Sequence, residues 1–145
     1  MKNLEFIIKN PKNILKDNLK ILFLFLLGFS LVIFGLTAHS FNLDEIFSIN
    51  VSKDWPQMTK ILWNKEANMW LYYLILHFWQ TLGTSEFIIR SLSAIFAAGS
   101  IPLIYLIANY LFNKRVALIS VLFMIINVFF IITAQLARGY SLSLF

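Results

Sequence analysis

The sequence contains no cysteine and few charged residues. Of its 145 residues, 13% are charged, whereas ordinary soluble domains carry about 25%. The absence of cysteine excludes disulfides, thiolate nucleophiles and cysteine-ligated metals. The low charge leaves too little polar surface to face water, so we expect no soluble globular domain. The sequence also has no Walker loop, dinucleotide fingerprint, HExxH motif or GxSxG motif, which excludes the enzyme classes that depend on them.

Apolar residues make up most of the chain. They account for 59% of it, with 15 Phe and 4 Trp, and the mean hydropathy is +0.76. This much apolar surface excludes disorder and indicates a bilayer as the solvent. The net charge of +5 has a particular distribution, because five of the twelve cations precede the first apolar run. That distribution is typical of a cytoplasmic flank facing anionic lipid, so we expect a membrane partner and no nucleic acid.

The apolar runs divide the chain into a flank and a transmembrane domain. Residues 1–20 form a basic cytoplasmic segment, and residues 21–145 hold the predicted spans. The first run lacks charge and extends ~27 Å, close to the ~30 Å hydrocarbon core. A cleavable signal peptide stays open as an alternative, because Ala38 and Ser40 have the spacing of a cleavage site. The predicted spans are 21–38, 88–112 and 116–134, with a further span starting at about 140.

Two shorter segments between the first and second spans are predicted to lie at the membrane surface. The first covers 43–52, where Asn42 and Glu45 have the spacing of a capping box. The second covers 69–82 and extends only ~21 Å, which is short for a span. Its polar residues recur at the i, i+4 and i+7 positions typical of an interfacial helix. These residues are Tyr73, His77 and Gln80.

The positive-inside rule gives the predicted orientation. If residues 69–82 stay at the surface, Lys114 and Arg115 lie in the cytoplasm together with the N-terminus. The predicted fold class is therefore an all-α, polytopic integral membrane protein with interfacial helices in its first outer loop. We expect it in the cell membrane, with its active face extracytoplasmic. This orientation gathers six ionisable residues of interest on the outer face: Asp44, Glu45, His77, Glu86, Arg90 and Arg138.

Carboxylates and guanidinium groups near one membrane surface suit transfer from a lipid phosphate. A carboxylate can act as a general base on a hydroxyl or amine, and a guanidinium can bind a phosphate through two hydrogen bonds. We therefore take Asp44 and Glu45 as candidate catalytic residues, and Arg138 and Arg90 as candidate ligands of the donor phosphate.

Each of these residues also has a structural explanation. Glu45 can cap the helix start, and Asp44 can complement the helix dipole. Glu86 and Arg90 are spaced to pair with each other on one helix. Arg138 follows an apolar run and can extend its charge toward the interface.

Several short motifs follow in a characteristic order, and together they resemble a known family. They are Leu43-Asp44-Glu45, Leu71-Tyr72-Tyr73-Leu74 through His77-Phe78-Trp79, Gly83 with Ser85-Glu86-Phe87 and Arg90, Pro102-Leu103-Ile104-Tyr105-Leu106, Leu111-Phe112-Asn113-Lys114-Arg115, and Gln135-Leu136-Ala137-Arg138-Gly139-Tyr140. The order and spacing over about residues 15–145 resemble the N-terminal part of GT-C glycosyltransferases of the protein O-mannosyltransferase and aminoarabinose-transferase type.

The resemblance implies an inverting membrane transferase. Such an enzyme takes a sugar from a polyprenyl-phosphate donor on the outer face and passes it to a lipid, glycan or protein acceptor. Asp44 matches the catalytic aspartate of the first loop. Further candidate substrate-site residues are His77, Tyr73, Gln135 and Tyr140. We assign no certain cofactor and no metal-ligating residues in this chain, and use of a divalent metal stays open.

Family members run to several hundred residues, so we expect this chain to be a fragment that is inactive alone. The alternative is a non-catalytic small membrane protein, such as a flippase-like or scaffold subunit. In that case Asp44 and Arg138 are ordinary interfacial charges.

Overall fold

The computed structural model describes residues 11–64 and 69–145, which form helices joined by short turns and loops and contain no strand. This confirms the predicted all-α class for that part of the chain. Half of the basic flank, residues 1–10, lies outside it. The helices are α1 (Pro11–Ile33), α2 (Leu43–Lys53), α3 (Trp55–Asn64), α4 (Trp70–Trp79), α5 (Glu86–Leu111), α6 (Lys114–Ile126), α7 (Val128–Gln135) and α8 (Tyr140–Leu144), with a 3-10 turn at Gln80–Leu82.

Helix α5 is the centre of the packing, and α1, α6, α7 and α8 all contact it. Small residues allow the close approach: Ala94, Ala97 and Ala98 of α5 are buried. At the crossing with α1, a Cβ atom on Gly28 would collide with the side chain of Ile101. Close packing of small residues in this way is typical of helices that associate within a bilayer.

Helix α1 ends at Ile33, before the predicted end of the first span at residue 38. The chain then turns back on itself, and Gly35 adopts a φ of +84° in this turn. Glycine reaches such a conformation without the steric cost that a Cβ atom brings. The turn leaves backbone carbonyl groups of residues 36–40 outside any helix, where other side chains can bond them.

By length and hydropathy, α5 is long and apolar enough to cross a bilayer, whereas α6 and α7 qualify only as a pair, bent by 61°. The segment predicted as one span over 116–134 is therefore two helices. They part at Asn127, whose side chain accepts a hydrogen bond from the backbone N–H of Phe130 at 3.1 Å. Asparagine is among the best residues for capping a helix start, which explains a break inside an apolar run.

The short helices α2, α3 and α4 form a second cluster beside the start of α5. The polar stripe of α4 faces α2: His77 Nδ1 lies 2.7 Å from the carbonyl oxygen of Ser52, and Gln80 donates to the Ser52 hydroxyl at 2.6 Å. The opposite face of α4 is exposed and apolar, with Trp70 and Phe78 more than half exposed. The predicted interfacial segment 69–82 therefore turns its polar residues toward α2 and its apolar residues outward.

Helix α3 follows α2 directly, in a part of the first outer loop for which the sequence analysis predicts no helix. Its second residue is Pro56, and proline fits the first turn of a helix because the N–H there has no partner within the helix. That proline is a signal that could have located the helix. Helix α3 lies between the two predicted interfacial segments and packs on both.

Candidate active site

A buried ion pair between Glu45 of α2 and Arg90 of α5 occupies the centre of the candidate site. Arg90 Nη2 donates to Glu45 Oε2 at 2.7 Å, and Arg90 Nε donates to Oε1 at 2.8 Å. The two side chains are 5% and 0% exposed. This two-bond geometry is the strongest arrangement open to a guanidinium and a carboxylate. The sequence spacing had suggested a different partner for Arg90, namely Glu86 on the same helix.

The rest of the Arg90 guanidinium binds the turn that follows α1. Nη1 donates to the carbonyl oxygens of Leu36 and His39, both at 2.7 Å, and Nη2 donates to that of Ser40 at 3.2 Å. Every nitrogen of the guanidinium thus donates within the protein. A guanidinium occupied in this way has little donor capacity left for a phosphate.

The Glu45 carboxylate has two further partners besides Arg90. It accepts the backbone N–H of Asn42 at 2.9 Å, which is the predicted capping box and is confirmed. It also accepts the N–H of Ala137, in the loop between α7 and α8, at 3.0 Å. Burial alone would raise the pKa of Glu45, but these bonds and the Arg90 charge together hold the pKa below its usual value.

Asp44 and Arg138 are each one residue away from a partner of the Glu45–Ala137 hydrogen bond, next to this ion pair. Asp44 lies in the first turn of α2 and is exposed, and Arg138 lies in the loop between α7 and α8. Burial lowers the pKa of Arg138, but a side-chain bond with Tyr140 and the charges of Tyr73 and Asp44 raise it overall. The guanidinium also lies over the Tyr140 ring, 5.9 Å from its centroid. The structure therefore places the segments that carry Asp44 and Arg138 side by side, and it puts Tyr140 against the guanidinium.

Arg138 keeps an unused donor. Its Nε atom is buried and has no hydrogen-bond partner within the described residues. A buried donor without a partner costs free energy, and such groups call for an explanation such as a ligand.

The loop that carries Arg138 is also held by residues that sequence reasoning missed. The Ser93 hydroxyl of α5 donates to the carbonyl oxygen of Arg138 at 3.3 Å, and the Tyr72 hydroxyl lies 2.8 Å from Ser93 Oγ. Ser93 is fully buried. A lone serine within an apolar helix gives no sequence signal of such a role.

Two other predicted site residues bond the backbone of neighbouring segments. Gln135 donates to the carbonyl oxygens of Val32 and Phe34 at 2.9 and 2.8 Å, and so caps the end of α1. His77 contacts the end of α2, as described above. Both side chains therefore hold helix ends through bonds to backbone carbonyl groups, away from Arg138.

An open, apolar groove of about 780 Å³ lies at the bend between α6 and α7. Phe123 and Phe130 form part of its wall, and Tyr140 lies at its border. Tyr140 therefore contacts both the groove and the Arg138 guanidinium. The groove and the charged cluster are neighbours.

Neither the arrangement of possible metal-ligating side chains nor the comparison with known proteins assigns a further function to the chain. Within residues 11–64 and 69–145, no three His, Asp or Glu side chains are grouped so that they could hold a metal ion. No protein-family model, curated protein sequence or solved structure matches the chain.

Proposed function

We propose that this chain is the N-terminal part of a GT-C-type membrane glycosyltransferase that takes a sugar from a polyprenyl-phosphate donor. In this proposal Asp44 is the general base and Arg138 binds the donor phosphate. One observation carries it: the Glu45–Ala137 hydrogen bond holds the segment with the exposed Asp44 carboxylate beside the loop of Arg138, whose buried Nε donor is unused. A base for the acceptor and a cation for the leaving phosphate are the two groups that such a transfer needs.

The outer surface of the long helices supports a membrane location. Leucine, isoleucine and phenylalanine side chains point outward on three of them, and contiguous apolar surface on this scale is typical of lipid contact. Examples with at least 49% exposure are Phe23 and Leu26 of α1, Leu106 and Ile107 of α5, and Phe123 and Ile126 of α6.

The contacts of Arg90 and Gln135 support the proposed orientation. Arg90, near the start of α5, binds the turn after α1, and Gln135, at the end of α7, caps α1. The end of α1, the start of α5 and the end of α7 therefore lie at one end of the bundle. Lys114 and Arg115 begin α6 at the other end, and the positive-inside rule favours a cytoplasmic location for that end. Asp44 and Arg138 would then face the extracytoplasmic side.

The proposed reaction is a direct displacement. The Asp44 carboxylate takes the proton from an acceptor hydroxyl or amine as that atom bonds to the anomeric carbon. The bond between the anomeric carbon and the phosphate oxygen breaks, and its electron pair leaves with the lipid phosphate. Arg138 stabilises the negative charge that develops there. Attack opposite to the leaving group inverts the anomeric configuration.

The apolar groove next to Tyr140 supports a lipid-linked donor. Its aromatic and aliphatic wall suits an isoprenoid chain, and its border at Tyr140 adjoins the cation that would hold the phosphate. A water-soluble nucleotide-sugar donor would have no use for such a groove.

The test is transfer by the complete protein that contains this chain, using a synthetic polyprenyl-phosphate sugar in liposomes. Asp44→Asn removes the base and should lower the transfer rate by about 10² to 10⁴. Asp54→Asn is the matched control, because Asp54 is an exposed aspartate at the other end of α2, and it should transfer at the parent rate. Transfer by Asp44→Asn at the parent rate would show that Asp44 is not the base.

A further inference from the structure

We infer that the Glu45–Arg90 ion pair is a positioning device that fixes the separation between Asp44 and Arg138. The functional meaning of that separation rests on the proposed role of these two residues. The geometric claim concerns only how Glu45 and Arg90 connect the segments that carry Asp44 and Arg138. Neither Glu45 nor Arg90 needs to touch a substrate in this role.

The first connection runs from the ion pair to Asp44. Glu45 is the next residue in the chain, and its side chain accepts the N–H of Asn42 while it pairs with Arg90. The first turn of α2 is thereby attached to α5 by charged hydrogen bonds. Because Asp44 lies within that turn, its Cα atom cannot move without breaking the pair or unwinding the helix start.

The second connection runs from the same carboxylate to Arg138. Glu45 Oε1 accepts the N–H of Ala137, the residue before Arg138. The carbonyl group of Arg138 itself receives the Ser93 hydroxyl from α5. The loop that carries Arg138 is thus held on one side by Glu45 and on the other by Ser93, and both attachments lead to α5.

General stabilisation alone does not require an ion pair at this place. Well-packed apolar residues of similar size often stabilise a buried site as well as, or better than, a buried ion pair does. Apolar contacts are not directional, however, whereas the fork of Arg90 donates to the Glu45 carboxylate in one geometry. One carboxylate then binds two backbone N–H groups at once, that of Asn42, two residues before Asp44, and that of Ala137, the residue before Arg138.

The test is a distance measurement on the chain in lipid nanodiscs by pulsed electron spin resonance. The chain lacks cysteine, so nitroxide labels can be placed on introduced cysteines at Leu43 and Ser143, which are both exposed and flank the site. A second pair, at Ile107 and Ile119, reports the packing of α5 against α6 far from Glu45. The variants are Glu45→Gln and Arg90→Lys, with Glu86→Gln as the matched control on α5.

We expect one narrow distance distribution for each label pair in the parent. Glu45→Gln and Arg90→Lys should broaden the 43–143 distribution at least about twofold and leave the 107–119 distribution unchanged, while Glu86→Gln should change neither. If Glu45→Gln does not fold, Glu45→Asp keeps the charge with a shorter reach and should broaden the 43–143 distribution to a smaller extent. An unchanged 43–143 distribution in Arg90→Lys, or equal broadening of both pairs, would overturn the inference.

A kinetic comparison separates this inference from the proposed function. In the complete protein, Glu45→Gln should slow transfer by about 10²-fold, since a misplacement of about 1 Å has that effect on a positioned reaction. If the distances respond but the parent transfers no sugar, the positioning device stands and the proposed function fails. If the parent transfers sugar and Glu45→Gln matches it in both distance and rate, the positioning device fails and the proposed function stands.

Discussion

Replacement of Arg90 by methionine is expected to be the most destabilising single change at the candidate site. Methionine has a similar length but cannot donate hydrogen bonds, so Glu45 would stay fully buried without its counter-ion. The carbonyl groups of Leu36, His39 and Ser40 would also lose their donor. Breaking a buried ion pair by removing one partner costs about 3–5 kcal/mol, and we expect Arg90→Met to lower the free energy of unfolding by that amount.

The double variant provides the internal check. In Glu45→Gln combined with Arg90→Met no buried charge is left unpaired, so the combined loss should be smaller than the sum of the single losses by about 1–3 kcal/mol. Unfolding can be followed in mixed micelles by tryptophan fluorescence. Trp79 is a suitable reporter, because its indole N–H donates to the carbonyl oxygen of Ile88 at 2.8 Å and the bond breaks when α4 leaves α5. A loss below 1 kcal/mol for Arg90→Met, or additive losses, would refute this account of the pair.

Three further predictions concern acid stability, donor binding and orientation. The folded-state pKa of Glu45 is lowered, so the stability that this carboxylate contributes is complete above its unfolded pKa of about 4.3 and is lost as the pH falls through the lower folded pKa. The free energy of unfolding should therefore be smaller at pH 3 than at pH 7 in the parent. The same difference should be smaller in Glu45→Gln. Arg138→Lys keeps the charge but loses the planar fork, so the KM for a polyprenyl-phosphate sugar should rise about tenfold, and an unchanged KM would make Arg138 a simple interfacial charge. In intact cells, an impermeant thiol reagent should label a cysteine at Trp55 and not one at Asn113, and the reverse pattern would contradict the proposed orientation.

The elements that the sequence predicted are those with local signals. The capping box at Asn42 and Glu45 depends on residues three apart, and α5 was recognisable as a long apolar run that ends at charged residues. The bend at Asn127 also had a local signal, since asparagine favours helix starts. The prediction gave more weight to the length of the apolar run than to this single polar residue. In the structure, Asn127 ends α6 and begins α7.

The contacts between distant residues could not be predicted in the same way. The i, i+4 rule selected Glu86 as the partner of Arg90, whereas the chain turn after α1 and the docking of α2 bring Glu45 to it. The periodicity of α4 revealed a polar stripe but not its surroundings, because a stripe can face water or another helix equally well. Asp44 and Arg138 were singled out separately, and only the folded chain brings the segments that carry them side by side.

The fate of the sugar donor tests the proposed glycosyltransferase most directly. The complete protein in liposomes would be given polyprenyl-phosphate sugars labelled with ¹³C at the anomeric carbon, with cell-envelope membranes as the source of acceptor, and the products followed by NMR. We predict that the labelled carbon leaves the lipid phosphate and appears in the acceptor with inverted configuration, and that Asp44→Asn abolishes this transfer. Donor that crosses the bilayer intact, as a flippase-like protein would allow, or donor that is never consumed would contradict the proposal.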